Sequence, residues 1–192
     1  TLELKDSNGR VVWSQKAYEF VDELETIPDT ANPSLWRDTV LNHCYGLFEV
    51  CEGIYQVRGY DLTNLTLIET ESGGWIIFDP LMSLECTEAA MKLVEENLGK
   101  RPVMAIVMSH PHADHFGGIR GVVREEEVAD RALSIEEQIS SGKVPIIVPE
   151  GFTEHAVSEN LFAGTAMARR AAYQYGVFLE KGVKDSLAMG IG

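Results

Sequence analysis

The chain has 192 residues, 45% of them hydrophobic and 24% charged, which is the balance of a globular domain with a core of ordinary size. Its 30 acidic and 16 basic side chains give a formal charge of −14, which argues against nucleic acid as a partner because phosphates favour clustered Lys and Arg. No stretch reaches the roughly 20 apolar residues of a membrane span, so we expect none.

The three cysteines include no Cys-x-x-Cys pair and do not indicate a disulfide framework. Cys44 and Cys51 are predicted either to pair in an oxidising compartment or to be buried apolar thiols. Residues 1–50 are predicted to be an N-terminal segment, because Leu35 to Phe48 shows no clean periodicity. Residues 51–192 are predicted to form the N-terminal part of a catalytic domain. The apolar, glycine-rich residues 187–192 are predicted to be the cut end of a longer chain.

Four segments alternate like strands or are apolar runs of strand length: Ile54–Arg58, Leu65–Glu69, Trp75–Phe78 and Val103–Met108. The second and third are joined by Ser72-Gly73-Gly74, which predicts an antiparallel hairpin. Leu84–Leu98 has helical spacing and is followed by Gly99 in the manner of a helix-ending glycine. A strand, a helix and a strand in this order predict a parallel βαβ unit.

The later part of the chain is predicted to be less regular. The charged stretch from Arg120 to Ile139 is predicted to form one or two exposed helical turns. Val144–Val148 is predicted to be a strand, with Pro145 at an edge or at the strand start. Thr153–Gly176 is predicted to be one long helical region, interrupted near Gly164.

A dense cluster of metal-ligand residue types follows the strand that ends at Met108. The run reads His110, Pro111, His112, Ala113, Asp114, His115. His110 and His112 are two apart and point to the same side, and three neutral imidazoles with a carboxylate suit zinc, iron or manganese. One metal at His110 and His112 and a second at Asp114 and His115 could share a water and lower its pKa.

Other residues are predicted to support this site or to lie outside it. Asp79 ends the preceding strand and is a candidate to orient a ligand histidine, or else a turn former before Pro80. His155 is predicted to be a surface or core residue, and Glu159 a helix-start acid. Two four-coordinate metals need more side chains than the run supplies, so the site is predicted to be incomplete.

The histidine run resembles the His-x-His-x-Asp-His motif of the metallo-β-lactamase superfamily, and the flanking sequence resembles the bacterial zinc-dependent alkyl sulfatases. Five blocks carry the resemblance: Asn32 to Arg37, Gly53 to Gly59, Asp114 to Gly118, Glu154 to Asn160 and Ala168 to Tyr173. The resemblance covers nearly the whole chain.

The resemblance implies an α/β (α+β) fold, a metallo-β-lactamase-like αββα sandwich of which this chain holds the N-terminal half. It implies Zn2+, two per complete site, with His110, His112, Asp114 and His115 as ligands and Asp114 also catalytic. The activity implied is hydrolysis of an alkyl sulfate ester to an alcohol and inorganic sulfate. The family's other ligands, two glutamates and a histidine, are expected beyond residue 192. The chain alone is therefore predicted to be inactive, and to form a homodimer or bind the missing C-terminal part.

Two alternatives remain at the level of the sequence. One is another hydrolase of the same fold, of thioesterase, lactonase or phosphodiesterase type. The other is an inactive fragment or assembly subunit with an incomplete metal site. A periplasmic or secreted bacterial location is predicted, with the cytoplasm as the alternative.

Overall fold

The structure is a computed structural model that describes residues 1–188, so four of the six residues in the predicted cut end, 189–192, lie outside the described part. A small hairpin of β1 (Glu3–Lys5) and β2 (Val11–Ser14) precedes a six-stranded sheet. The strands of that sheet are β3 (Gly46–Cys51), β4 (Ile54–Arg58), β5 (Leu65–Glu69), β6 (Trp75–Phe78), β7 (Val103–Val107) and β8 (Ile146–Ile147).

Seven α-helices lie among the described residues. They are α1 (Phe20–Glu23), α2 (Pro33–Asn42), α3 (Leu84–Leu98), α4 (Ala113–Phe116), α5 (Ile135–Ser140), α6 (Phe152–Val157) and α7 (Gly164–Gln174). A π-helical turn at Ser158–Phe162 lies between α6 and α7. None of the helices in residues 1–188 has the length and apolarity to cross a membrane.

The six strands lie side by side in chain order. β3 to β6 pair antiparallel, whereas β6 pairs parallel with β7 and β7 with β8. The β5–β6 hairpin and the β6–α3–β7 unit confirm the predictions, and the fold is the predicted mixture of α and β structure. Because parallel strands end at the same edge, the ends of β6 and β7 deliver their following residues to one place.

Helix α3 has the predicted bounds because Ser83 caps its first turn and Gly99 ends its last one. The Ser83 hydroxyl accepts a hydrogen bond from the Cys86 N–H at 3.2 Å, which caps the first turn. Gly99 has φ +80°, and its N–H donates to the Glu95 carbonyl at 3.0 Å. Between these caps, Ala90 and Val94 are buried against the sheet.

The core lies between α3 and one face of the sheet. Its fully buried side chains on the strands are Val57, Leu65, Leu67, Trp75, Ile77 and Ile106. Burial of each contributes roughly 1.5–3 kcal/mol. At one end of this face the Arg101 guanidinium lies 4.5 Å from the centre of the Trp75 ring and forms an ion pair of 2.7 Å with Glu69.

The N-terminal segment is more regular than the missing periodicity of Leu35 to Phe48 indicates. Helix α2 covers residues 33–42, and its start is capped by the Asn32 carboxamide oxygen, which accepts from the Ser34 N–H at 2.9 Å. Strand β3 then crosses the predicted boundary at residue 50 and pairs with β4. The division of the chain into 1–50 and 51–192 stays a prediction.

Two later elements differ in detail from their predictions. Strand β8 has two residues rather than five, and it is an edge strand that starts directly after Pro145, which lacks a backbone N–H. The predicted interruption of the long helical region is confirmed, but it occupies Ser158–Phe162, and Gly164 is the first residue of α7.

The cysteines are free: Cys86 is buried, but Cys44 and Cys51 are exposed, contrary to both predictions for that pair. Burial raises the pKa of the Cys86 thiol to about 12. Because the thiolate is the reactive form, we expect iodoacetamide to modify Cys44 and Cys51 in the folded chain and Cys86 only after unfolding. Mass spectrometry of peptides after timed labelling checks this, and modification of Cys86 at the rate of Cys44 contradicts it.

Candidate metal centre

The histidine run lies at the carboxyl edge of the sheet, directly after β7. The end of that strand is held by the neighbouring edge strand, since the Met108 N–H donates to the Ile147 carbonyl at 3.0 Å. His112 is the N-terminal flanking residue of α4, which contains Asp114 and His115. The short helix therefore turns the second half of the run back toward the first half.

The structure brings the four predicted ligands together. His110 Nε2 lies 3.0 Å from His112 Nδ1. The ring centre of His110 is 4.5 Å from that of His112 and 4.0 Å from that of His115. Asp114 Oδ2 is 3.5 Å from His115 Nε2. Three imidazoles and a carboxylate thus occupy one small volume.

The donor atoms fit a metal in type, but they do not surround a position for the ion. Within residues 1–188 no group of three or more His, Cys, Asp or Glu side chains is arranged around a common point. Two nitrogens on a tetrahedral zinc ion are about 3.3 Å apart, given Zn–N bonds of about 2.05 Å. The 3.0 Å separation of His110 Nε2 and His112 Nδ1 is close to that spacing.

Asp79 lies directly behind this cluster, in a backbone conformation that is uncommon for a residue other than glycine. Its φ is +55°, which costs of order 1 kcal/mol and persists only where the surroundings hold it. Its Oδ1 accepts from the Ser109 N–H at 2.7 Å, and its Oδ2 accepts from the Ser109 hydroxyl at 2.6 Å. The same Oδ2 lies 2.9 Å from His115 Nδ1. Asp79 is thus in contact with a predicted ligand.

Ser109 extends this contact to a second histidine. Its hydroxyl donates to Asp79 and lies 2.8 Å from His110 Nδ1, so it accepts from that nitrogen when the nitrogen carries the hydrogen. Burial, followed by the nearby His115 and His112 rings, lowers the pKa of His110. A neutral imidazole with Nδ1 protonated leaves Nε2 free to act as a metal ligand.

Gly117 and Gly118 are needed for space rather than for backbone freedom. Their φ values of −60° and −86° are open to any residue. A Cβ at Gly117 would lie 2.2 Å from the Met82 carbonyl oxygen, and one at Gly118 would lie 2.0 Å from Thr87 Oγ1. The chain after the ligands therefore passes directly against the start of α3.

Sequence reasoning missed three residues that contact the run. The Thr63 hydroxyl donates to the Asp114 carbonyl at 2.6 Å, from the loop between β4 and β5. Glu159 Oε2 lies 3.0 Å from His112 Nε2, and the Asn160 side-chain amide donates to the Pro111 carbonyl at 3.3 Å. All three come from distant parts of the chain, where no local pattern links them to the histidines.

The chain's other two histidines, and Tyr173 from the last resemblance block, lie outside the run. His43 Nε2 is 2.9 Å from Asp22 Oδ2, close to α1 and α2. His155 is exposed on α6, and Tyr173 is 93% exposed on α7. A cavity of about 540 Å³ is lined by residues of α2, β3 and β4, among others, and by none of the three clustered histidines.

The comparison with protein families decides where the chain belongs. A family model of the metallo-beta-lactamase superfamily matches residues 58–165, more than half of the chain, including the whole histidine run. The chain belongs to the metallo-beta-lactamase superfamily. Membership implies a metal-binding site, and the residues of the histidine run fit one in the type of their donor atoms.

Relatives of this metallo-beta-lactamase chain include alkyl sulfatases, which confirms the resemblance inferred from the sequence. A linear primary-alkylsulfatase of a Pseudomonas species is 48% identical over 189 residues, 98% of this chain and 26% of that protein. An alkyl/aryl-sulfatase of Saccharomyces cerevisiae is 42% identical over 185 residues, 96% of this chain and 27% of that protein. The chain thus spans about a quarter of the length of these relatives.

A solved structure shows the same arrangement of the chain. The stereoselective inverting sec-alkylsulfatase from a Pseudomonas species superposes with a TM-score of 0.82 at 45% sequence identity. The superposition covers 98% of this chain and 28% of that one. The fold described above is therefore shared with 28% of the chain of that solved alkylsulfatase.

Proposed function

We propose that this chain carries the histidine part of the metal site of an enzyme that hydrolyses alkyl sulfate esters to an alcohol and inorganic sulfate. The observation that carries the proposal is the 48% identity to a linear primary-alkylsulfatase across 98% of the chain. The clustered His110, His112 and His115 support it, since a sulfate ester carries a negative charge that a bound cation attracts.

The metal in this proposal is zinc, with two ions in a complete site. Bound zinc supplies Lewis-acid chemistry and lowers the pKa of a water molecule toward neutrality. His110, His112 and His115 present nitrogen ligands, and Asp114 contributes a carboxylate beside them. Asp79 and Ser109 orient two of these imidazoles from behind, through the hydrogen bonds described above.

The charge of the protein bears on substrate binding. With a formal charge of −14, the chain does not attract an anion from a distance. We therefore propose that recognition of the sulfate group is local, and that the apolar tail contributes to affinity by leaving water. The rate of dodecyl sulfate hydrolysis is then expected to fall less steeply with salt concentration than the rate of an enzyme whose strong positive charge attracts its anionic substrate.

The proposal is tested in a chimera. In it, this chain replaces the matching 189 residues of the Pseudomonas linear primary-alkylsulfatase. We expect the purified, zinc-loaded chimera to release sulfate from dodecyl sulfate, and a chelator to remove that activity. Secondary alkyl sulfates, an acyl thioester, a lactone and a phosphodiester are assayed beside it. A folded chimera that hydrolyses any of the last three but no sulfate ester contradicts the proposal and supports another hydrolase of this superfamily.

The 192-residue chain by itself is expected to release little or no sulfate, because its described residues do not supply the ligands of two metals. Robust turnover by the zinc-supplied chain contradicts this. Association with a second copy, or with the remainder of a longer protein, stays a prediction that the molecular mass in solution checks. A periplasmic or secreted location also stays a prediction.

A further inference from the structure

Glu159 lies in the π-helical turn, and its side chain contacts the histidine run. Its Oε2 lies 3.0 Å from His112 Nε2, yet that oxygen is buried and has no partner aligned for a hydrogen bond. A buried carboxylate oxygen without such a partner is costly, so its position beside an imidazole calls for an explanation. A small rotation of either side chain would complete a bond from the ring N–H to the carboxylate.

The π-turn determines where this carboxylate lies. Its extra residue per turn is closed by the Ala163 N–H, which donates to the Ser158 carbonyl at 2.9 Å. Glu159 and Asn160 then face the run together, since Asn160 donates to the Pro111 carbonyl at 3.3 Å and to the Ala156 carbonyl at 2.8 Å. Two successive residues of the turn therefore contact two successive residues of the run. π-turns inside helices occur frequently at functional sites.

The contact with Glu159 distinguishes the two nitrogens of His112. A carboxylate can only accept hydrogen bonds, so a bond to Glu159 requires the hydrogen on His112 Nε2 and leaves the lone pair on Nδ1. His112 Nδ1 is the atom that lies 3.0 Å from His110 Nε2. His110 and His115 have the reverse arrangement, because their Nδ1 atoms lie against Ser109 and Asp79.

The structure assigns Glu159 the role of a positioning residue, which holds the His112 ring so that its Nδ1 faces His110. This inference rests on the proposal that the run binds a metal ion. In each of the three imidazoles, the nitrogen that faces away from the metal then lies beside a carboxylate or is linked to one through the Ser109 hydroxyl. Such outer partners fix the ring orientation and raise the basicity of the ligand nitrogen.

The experiment measures zinc affinity by competition with a chromophoric chelator, and the ligating nitrogen of His112 by ¹⁵N NMR of the zinc-loaded chain. In the variant Glu159→Ala we expect the affinity to fall about 10-fold. We also expect His112 to lose its uniform Nδ1 ligation. Glu159→Gln keeps an acceptor oxygen, so it should retain Nδ1 ligation with a smaller loss. Glu154→Ala is the matched control, because Glu154 is exposed on α6 and should change neither readout.

The outcomes separate this inference from the metal site itself. Unchanged affinity and Nδ1 ligation in Glu159→Ala overturn the role of Glu159 while leaving the metal site intact. A wild-type chain that binds no zinc overturns both. If Glu159→Ala does not fold, Glu159→Met keeps the length of the side chain without its acceptor and is expected to show the same losses. Equal losses in Glu154→Ala would reduce the effect to a general loss of acidic charge and would also overturn the inference.

Discussion

Changing Asp79 to asparagine is expected to lower the zinc affinity of the chain about 100-fold while leaving the main sheet folded. Oδ2 of Asp79 lies 2.6 Å from the Ser109 hydroxyl and 2.9 Å from His115 Nδ1, and both donate to it. In asparagine an NH₂ group takes that place and meets two donors. His115 then has to accept at Nδ1 and carry its hydrogen on Nε2, the nitrogen that should face the metal.

Asparagine is the informative substitution because it separates the hydrogen bonds from the backbone. Asp79 has φ +55°, a conformation that Asp and Asn adopt more readily than other residues with a side chain. Its other oxygen can still accept from the Ser109 N–H, which joins the ends of β6 and β7. The variant should therefore keep its circular dichroism spectrum and lose metal affinity.

Zinc competition titrations, with ¹⁵N NMR of His115, measure the expected effect. Asp61→Asn is the control, since Asp61 is also buried but accepts from the backbone N–H groups of Leu62 and Met82 and not from a histidine. It should change stability but not the ligating nitrogen of His115. If Asp79→Asn binds zinc as tightly as the wild-type chain, Asp79 does not orient a ligand.

Replacement of Gly118 by alanine is expected to destabilise the fold by about 3 kcal/mol or more, the upper part of the range for overpacked cores. The new Cβ would lie 2.0 Å from Thr87 Oγ1 and 2.4 Å from the Pro80 carbonyl oxygen. Thr87 cannot turn away freely, because its hydroxyl donates to that same Pro80 carbonyl at 2.7 Å. The backbone of the run has to move outward instead, away from the start of α3.

Thermal unfolding followed by circular dichroism checks this prediction. For a chain of this size, 3 kcal/mol corresponds to a fall in Tm of about 6–12 °C. Gly164→Ala is the control, because nothing lies within 4 Å of a Cβ at that position and alanine favours the helix that starts there. A Gly118→Ala variant that melts within 2 °C, roughly, of Gly164→Ala contradicts the packing argument.

The parts of the fold that could be predicted are those in which local chemistry and burial agree. Helix α3 is bounded by a serine cap and a glycine, and its buried residues recur at helical spacing. Helix α2 carries an equally good start at Asn32 and Pro33. Only Trp36 and Thr39 are buried on it, however, so its apolar residues do not recur often enough at helical spacing to predict a helix. Strand β3 was missed because it is an edge strand with an irregular pairing near Cys51.

The site divides in the same way. His110, His112, Asp114 and His115 are recognisable because they are adjacent in sequence, and Asp79 because it ends a predicted strand. The contact of Glu159 with His112 could not be predicted, because it depends on a π-turn and the residues of Ser158–Phe162 show no pattern that indicates one. Its acidic type, near a helix start, has a sufficient local explanation.

The parallel pairing of β6 with β7 has a consequence for how the protein folds. The Asp79–Ser109 hydrogen bonds connect residues 30 apart in the chain, across the whole of α3. Closing the loop between these residues costs conformational entropy, which makes such contacts form late. The imidazoles therefore acquire their orientation only after the two strands have paired. The unfolded chain holds no preformed site, and a metal ion that binds the native arrangement slows unfolding and shifts the equilibrium by mass action. The time at which the refolding chain begins to bind metal therefore reports when these late, long-range contacts form.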